Sequence, residues 1–152
     1  MIKILSWNIQ AGGGSRILPI IKRIIASKSN IVTLSEFRNN ASGLSIRNSL
    51  LRAGFQYQAV TDSKSNDNSV IITSNIPFSS ELYPSADRVY SGNIVTAKFS
   101  TFHVMGVYMP HKKKHKLFEY ARQVNSKTSV PFIIAGDYNS GKNYIDQKGN
   151  SF

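Results

Sequence analysis

The stretch Lys3–Arg16, KILSWNIQAGGGSR, joins an apolar run to a polar amide and then to three consecutive glycines. Alternating apolar residues over Ile2–Asn8 are typical of a strand, which the glycines interrupt. Ser15 is placed to cap a helix over Arg16–Ser27, where apolar residues recur at helical spacing. The stretch therefore predicts a strand, a glycine turn and a helix, with Asn8 at the end of the strand.

The rest of the chain alternates extended and helical patterns. A second strand, Ile31–Glu36, precedes a helix over Leu44–Ala53. The remaining predicted elements are strands at Phe55–Val60, Ser69–Ser74, Asn93–Phe99, Phe102–Tyr108 and Phe132–Ala135, and a helix at Lys112–Ser126. Ser100 and Thr101 join two of these strands in a hairpin, and the chain after Asn139 is predicted as loop. This alternation predicts an α/β or α+β layered domain.

Length and composition limit the class of protein. The chain has 152 residues, so one domain over residues 1–152 is expected. Cysteine is absent, which excludes disulfides, thiolate metal sites and a cysteine nucleophile. No run approaches the ~20 apolar residues of a membrane span, so no membrane partner and a cytoplasmic location are expected. Nineteen Lys and Arg against eight Asp and Glu give a charge of +11, which attracts nucleic acid unless it serves solubility alone.

Polar side chains follow the ends of four predicted strands. They are Asn8, Glu36, Tyr108 with nearby His111, and the pair Asp137 and Asn139. Strand ends in a layered sheet lie side by side, so these groups are expected to converge. Carboxylate and amide oxygens are the ligands with which Mg²⁺ or Mn²⁺ is held beside a phosphate. The pattern predicts a phosphoryl-transfer site.

Each of these residues, taken alone, also has a structural explanation. The two asparagines and Asp137 are ordinary turn formers or helix caps. Glu36 could form an ion pair with the neighbouring Arg38. Tyr108 could be a core tyrosine whose hydroxyl reaches the surface. Only the convergence of all of them favours a functional site.

Four motifs carry a resemblance to a known family. ILSWNIQ, IVTLSEFR, GVYMPH and IIAGDYNSG resemble, in order and spacing, the successive motifs of the endonuclease/exonuclease/phosphatase family, which includes exonuclease III and deoxyribonuclease I. GGGSR, EFRNN and GDYNSGKNYIDQKG are similar to a compact bacterial subgroup. The resemblance implies a two-sheet α-β-β-α sandwich of the deoxyribonuclease I-like type and a metal-dependent phosphodiester hydrolase.

The resemblance also implies a role for each strand-end residue. Glu36 matches the principal metal-ligand glutamate, and Asn8 matches the asparagine beside the metal and the phosphate. Tyr108 matches the tyrosine that contacts the scissile phosphate. Asp137 matches the aspartate that orients or deprotonates the attacking water, while Asn139 matches the asparagine that helps hold the phosphate. Mg²⁺ or Mn²⁺ is the implied cofactor.

The basic run His111–Lys116, HKKKHK, lies next to Tyr108. It suits a polymeric backbone better than one small phosphate, although such a run is also often a solvated helix start. The expected substrate contacts are Arg38, His111, Lys112, Lys113 and Lys114. A nuclease acting on DNA more than on RNA is therefore favoured. The alternatives are a phosphatase of small molecules or lipids and a non-catalytic nucleic-acid-binding remnant.

The family pattern continues beyond the four motifs, to an Asp-His pair that has no counterpart in these 152 residues. The resemblance therefore predicts the N-terminal part of such an enzyme, with its C-terminal portion lacking and little activity on its own. It further predicts one sheet with an uncovered inner face. Such a face favours self-association or a complementary chain.

Overall fold

Residues 1–84, 90–111 and 114–140 are described by the computed structural model. Lys112, Lys113 and the predicted loop beyond Ser140 lie outside the described residues. Two four-stranded sheets pack face to face, with helices on both outer faces. None of the helices within the described ranges is long and apolar enough to cross a membrane. The α-β-β-α sandwich predicted from the sequence is confirmed.

The first sheet forms from the N-terminal part of the chain. Its strands, in sheet order, are β1 (Ile4–Asn8), β2 (Ile31–Phe37), β4 (Ser69–Ser74) and β3 (Tyr57–Val60). Only β1 and β2 pair in parallel. Helices α1 (Ile17–Ala26) and α2 (Ala41–Arg52) cover its outer face. Because the Asn40 side chain accepts a hydrogen bond from Gly43 N, at 3.1 Å, α2 begins three residues earlier than predicted.

The second sheet forms from the rest of the chain. In sheet order, it contains β5 (Ser79–Leu82), β6 (Ile94–Lys98), β7 (His103–Tyr108) and β8 (Phe132–Asp137). β7 and β8 are parallel, and helix α3 (His115–Ser126) packs on the outer face through Leu117 and Ala121. The predicted hairpin between β6 and β7 is present. Strand β5 was not predicted, because its exposed residues SSEL show no apolar alternation and main-chain pairing with β6 holds it.

The inner faces of the two sheets cover each other. Val70 and Ile72 of β4 pack in one fully buried cluster with Val95 and Val104 of the second sheet. At Gly106 of β7 a Cβ atom would lie within 3.0 Å of side chains of β2 and β4, so the glycine permits this close approach. The prediction of an uncovered inner face is wrong, because the chain supplies both sheets itself. That face therefore gives no reason for self-association.

The glycine stretch after β1 differs from its prediction. Ala11–Arg16 forms a series of tight turns in which Gly12, Gly13 and Gly14 have φ angles of 75°, 82° and 51°. These left-handed angles suit glycine. The predicted Ser15 cap is wrong, because Arg16 occupies the residue before α1 and no side chain caps the helix. The stretch is a compact connection rather than a simple turn.

Candidate active site

The ends of three strands from both sheets meet at Asn8. The side-chain nitrogen of Asn8 donates to Glu36 Oε1 at 2.8 Å and to Asp137 Oδ2 at 2.7 Å. Because the same nitrogen contacts both oxygens, Glu36 Oε1 and Asp137 Oδ2 lie close to each other. Asn8 is the last residue of β1, Glu36 is the penultimate residue of β2 and Asp137 is the last residue of β8. The structure therefore brings together the two carboxylates that the sequence placed in one site.

Local backbone irregularities direct both carboxylates. Glu36 has a φ of +53° and lies in a register shift between Ser35 and Phe37 of β2. A bulge re-aims a side chain, and a positive φ at a non-glycine residue is a strained conformation typical of functional sites. Gly136, with a φ of +148°, passes so close to the Val107 carbonyl that a Cβ atom would overlap it. Only glycine fits immediately before Asp137.

The Glu36 carboxylate is held by neutral donors. Its Oε2 accepts from Ala11 N at 2.8 Å and from the Asn68 side-chain nitrogen at 3.3 Å. Arg38 does not form the ion pair suggested by its position, because its Nε donates to Asn68 Oδ1 at 2.9 Å. Among the described residues, neither Glu36 nor Asp137 forms a salt bridge. Among the residues that the structure describes, no cationic side chain lies within ion-pair distance of either carboxylate.

The glycine stretch supports the same two residues. Gln10 N donates to Asn8 Oδ1 at 2.8 Å, which fixes the direction of the Asn8 amide. Ala11 N binds Glu36, as described above. A Cβ at Gly12 would lie 3.1–3.3 Å from the Arg38 side-chain carbons, so this glycine makes room for the arginine stem. The loop after β1 thus positions Asn8, Glu36 and Arg38 together.

The second sheet contributes Tyr108. Its hydroxyl lies 3.4 Å from the Asn68 side-chain nitrogen. Asn93 holds the Tyr108 main chain at both ends, since Tyr108 N donates to Asn93 O at 2.9 Å and the Asn93 side chain donates to Tyr108 O. Sequence reasoning missed Asn68 and Asn93. Both follow turn-rich segments, where an asparagine is an ordinary turn residue and carries no separate signal.

The loop after β8 is tied to the neighbouring elements. Asn139, with a φ of +45°, donates its main-chain N–H to Asp137 Oδ1 at 2.9 Å and its side-chain nitrogen to Met109 O at 2.7 Å. Lys114 Nζ donates to the carbonyls of Tyr138 and Asn139. Burial raises the pKa of the Tyr138 hydroxyl above its ordinary value near 10, and this group donates to a main-chain carbonyl of β8. Lys114 therefore supports the loop that carries Asn139.

The predicted substrate contacts occupy different environments. His111 is exposed, and Arg38 is partly buried in contact with Asn68. Lys114 is partly buried against the β8 loop, and Lys112 and Lys113 lie outside the described residues. A separate cavity of about 440 Å³ is lined by Lys98, His103, Tyr120 and Lys127 among others, none of them a candidate site residue. The candidate site is therefore identified by the chemistry of its side chains and not by the position of this cavity.

The donor set is suited to a hard divalent cation. Within residues 1–84, 90–111 and 114–140 there is no group of three or more His, Cys, Asp or Glu that could hold a metal alone. Mg²⁺ is typically bound by one or two carboxylates, retained water and substrate phosphate oxygens. Glu36 and Asp137 provide two such carboxylates, and the Asn8 side-chain nitrogen contacts both of them. The residues present fit Mg²⁺ or Mn²⁺.

Comparison with known proteins gives matches in structure but not in sequence. No protein-family model matches the chain, and no curated protein is detectably similar in sequence. An AP endonuclease from Archaeoglobus fulgidus superposes with a TM-score of 0.72 at 18% identity, over 96% of this chain and 60% of that one. The 3′ phosphatase NExo from Neisseria, bound to a product DNA hairpin, superposes with a TM-score of 0.74 at 18% identity, over 96% of this chain and 61% of that one. An endonuclease/exonuclease/phosphatase from Beutenbergia cavernae superposes with a TM-score of 0.66 at 18% identity, over 91% of this chain and 47% of that one.

These matches define the class of fold. The chain has the fold of the endonuclease/exonuclease/phosphatase structures, and the resemblance found in the sequence motifs is confirmed at that level. It spans about 60% of the length of the first two structures and about half of the third.

Proposed function

We propose that this protein is a divalent-metal-dependent phosphodiester hydrolase that acts on nucleic acid, DNA more than RNA. One observation carries the proposal: Asn8 joins two carboxylates that have no cationic partner among the described residues, beside the Tyr108 hydroxyl. The nuclease and phosphatase names of the proteins that share the fold support it.

Each residue of the site has a role in this proposal. Glu36, with Asn8 beside it, would hold the cation, which would supply positive charge against the charge that develops on the phosphate. Asp137, fixed by Asn8 and by the Asn139 N–H, orients the attacking water and accepts its proton. The Tyr108 hydroxyl contacts a phosphate oxygen. The Asn139 amide donates one N–H to Met109 and has a second for the phosphate.

The choice of a polymeric substrate depends on charge. A net charge of +11 and the run His111–Lys116 favour a polyanion over a single small phosphate. A phosphatase is the second candidate, because one of the proteins sharing this fold is a 3′ phosphatase. Both candidates use the same site, so substrates must separate them.

Labelled DNA and RNA oligonucleotides and a small phosphomonoester, each with Mg²⁺, Mn²⁺ or EDTA, test the proposal. We expect weak cleavage of the oligonucleotides, because the Asp-His pair implied by the family resemblance has no counterpart in these residues. This cleavage should depend on the cation and fall to background in EDTA, because the two carboxylates alone cannot stabilise the phosphate charge. Hydrolysis of the phosphomonoester alone would favour the phosphatase. Nucleic-acid binding with no hydrolysis of any substrate would contradict an enzyme and leave a non-catalytic binding protein.

Nucleic-acid affinity is expected to fall steeply as the salt concentration rises. On duplex DNA, each phosphate that the protein neutralises contributes about −0.9 to the slope of the logarithm of affinity against the logarithm of salt concentration. Replacing Lys112 and Lys113 together by Gln should weaken binding and flatten this slope. The control replaces Lys22 and Arg23 of α1 by Gln, which removes the same charge from exposed positions in the outer helix layer. Fluorescence anisotropy at several salt concentrations measures both slopes. Equal slopes for the two variants would contradict a local role for the basic run, and salt-independent affinity would contradict nucleic-acid binding.

A further inference from the structure

Asn68 links the two sheets at the candidate site. It lies immediately before β4, and its side chain is partly buried. The amide nitrogen is 3.3 Å from Glu36 Oε2, on the first sheet, and 3.4 Å from the Tyr108 hydroxyl, on the second. One side chain therefore contacts both the proposed cation ligand and the proposed phosphate contact.

Arg38 determines which way the Asn68 amide points. Its Nε lies 2.9 Å from Asn68 Oδ1, and a guanidinium can only donate hydrogen bonds. The oxygen of the amide must therefore face Arg38, and the nitrogen must face the oxygens of Glu36 and Tyr108. A carboxylate can only accept, so the contact with Glu36 requires the same orientation. The flip of this amide is thus fixed by chemistry.

The position of Arg38 depends in turn on the glycine stretch. Its stem lies against Gly12, where a Cβ would come within 3.1 Å of it. Arg38 makes this contact with Asn68 and leaves Glu36 without a salt bridge among the described residues. Arg38, two residues after Glu36, thus orders the site without forming an ion pair with that carboxylate.

We propose that Asn68 is a positioning residue that holds the Glu36 carboxylate and the Tyr108 hydroxyl in fixed relation, and that Arg38 acts by setting the direction of the Asn68 amide. The inference rests on the proposed function, in which Glu36 and Tyr108 meet the cation and the phosphate. It assigns Arg38 a role different from the direct substrate contact expected from the sequence.

The Asn68→Leu variant removes both polar ends of the amide and keeps the branched shape of the side chain. Residues that orient a metal ligand typically change metal affinity or activity by about 10- to 100-fold when replaced. We therefore expect a loss of that size in Mn²⁺ affinity, measured by electron paramagnetic resonance of free Mn²⁺, and in kcat, with KM little changed. Asn66→Leu, an exposed change in the same loop, is the matched control and should leave both values within twofold. Thermal unfolding without cation checks that each variant is folded.

A double-mutant cycle separates the two roles of Arg38. Arg38→Met keeps the stem and removes the donor. If Arg38 acts through Asn68, the double variant with Asn68→Leu is no more impaired than the worse single variant. If Arg38 contacts the substrate directly, the losses caused by the two substitutions multiply in the double variant. In that case Arg38→Met also raises KM, and the slope of DNA affinity against salt becomes shallower by about 0.9.

The outcomes distinguish this inference from the proposed function. A folded Asn68→Leu variant with unchanged Mn²⁺ affinity and unchanged kcat would overturn the inference, as would multiplying effects in the cycle. A wild-type protein that binds Mn²⁺ but hydrolyses no substrate would overturn the proposed hydrolase, while the Mn²⁺ measurements would still decide whether Asn68 positions Glu36. A wild-type protein that binds no Mn²⁺ would overturn the inference itself.

Discussion

Replacing Asp137 by Asn is expected to lower cation-dependent cleavage of DNA by about 10²–10⁴-fold, the range of a positioned acid-base group. Both oxygens of Asp137 accept hydrogen bonds, one from the Asn8 side chain and one from Asn139 N. An amide in either orientation would place its nitrogen against one of those donors. The substitution therefore removes the base and also breaks one of the two hydrogen bonds that hold this side chain. Initial rates under saturating substrate and Mg²⁺ measure the loss.

Asp62→Asn is the matched control, because it removes the same charge from an exposed position. It should retain the wild-type rate within about twofold. Glu36→Gln should lower Mn²⁺ affinity as well as the rate, since it weakens the proposed cation ligand. Cleavage by the Asp137→Asn protein at the wild-type rate would show that the reaction takes place elsewhere.

Replacing Gly136 by Ala is expected to lower the free energy of unfolding by about 3 kcal/mol or more. The added Cβ would overlap the Val107 carbonyl of β7, and alanine would also have to adopt a φ of +148°. Main-chain atoms cannot move aside without breaking the pairing of β7 and β8, so the strain has no easy relief. Urea unfolding followed by circular dichroism measures the change.

Gly92→Ala provides the comparison for this stability measurement. A Cβ there would meet its nearest neighbours at 3.4 and 3.5 Å, which is ordinary contact. We expect a change within about 0.5 kcal/mol, as for most substitutions that disturb no special contact. Equal stabilities of the Gly136→Ala and Gly92→Ala proteins would contradict the requirement for glycine before Asp137.

Strong local patterns made much of the fold predictable. The run Ser69–Ser74 forms a strand with the predicted bounds, and Ile31–Glu36 extends by only one residue. Both are apolar or β-branched segments buried on two faces, so their composition and their environment agree. The polar residues that end such strands stand out for the same reason. This is why Glu36 and Asp137 could be singled out from the sequence, whereas their convergence depends on the packing of the two sheets.

Features that depend on distant contacts could not be predicted. Strand β5 is polar and exposed, so only its pairing with β6 defines it. The covering of the first sheet by the second depends on packing between separate parts of the chain. The partners of Arg38 and Asn68 are likewise set by tertiary geometry, since a sequence neighbour such as Glu36 was the simpler expectation for the arginine.

The hydrogen bond between Asn8 and Asp137 joins residues 129 positions apart. Closing so long a loop costs entropy before the contact stabilises anything, so contacts of this range slow folding. During synthesis, Asn8 and Glu36 emerge from the ribosome well before the strand that carries Asp137. A nascent chain that has not yet reached Asp137 therefore holds only one of the two carboxylates, and the pair can form only once β8 has joined the second sheet.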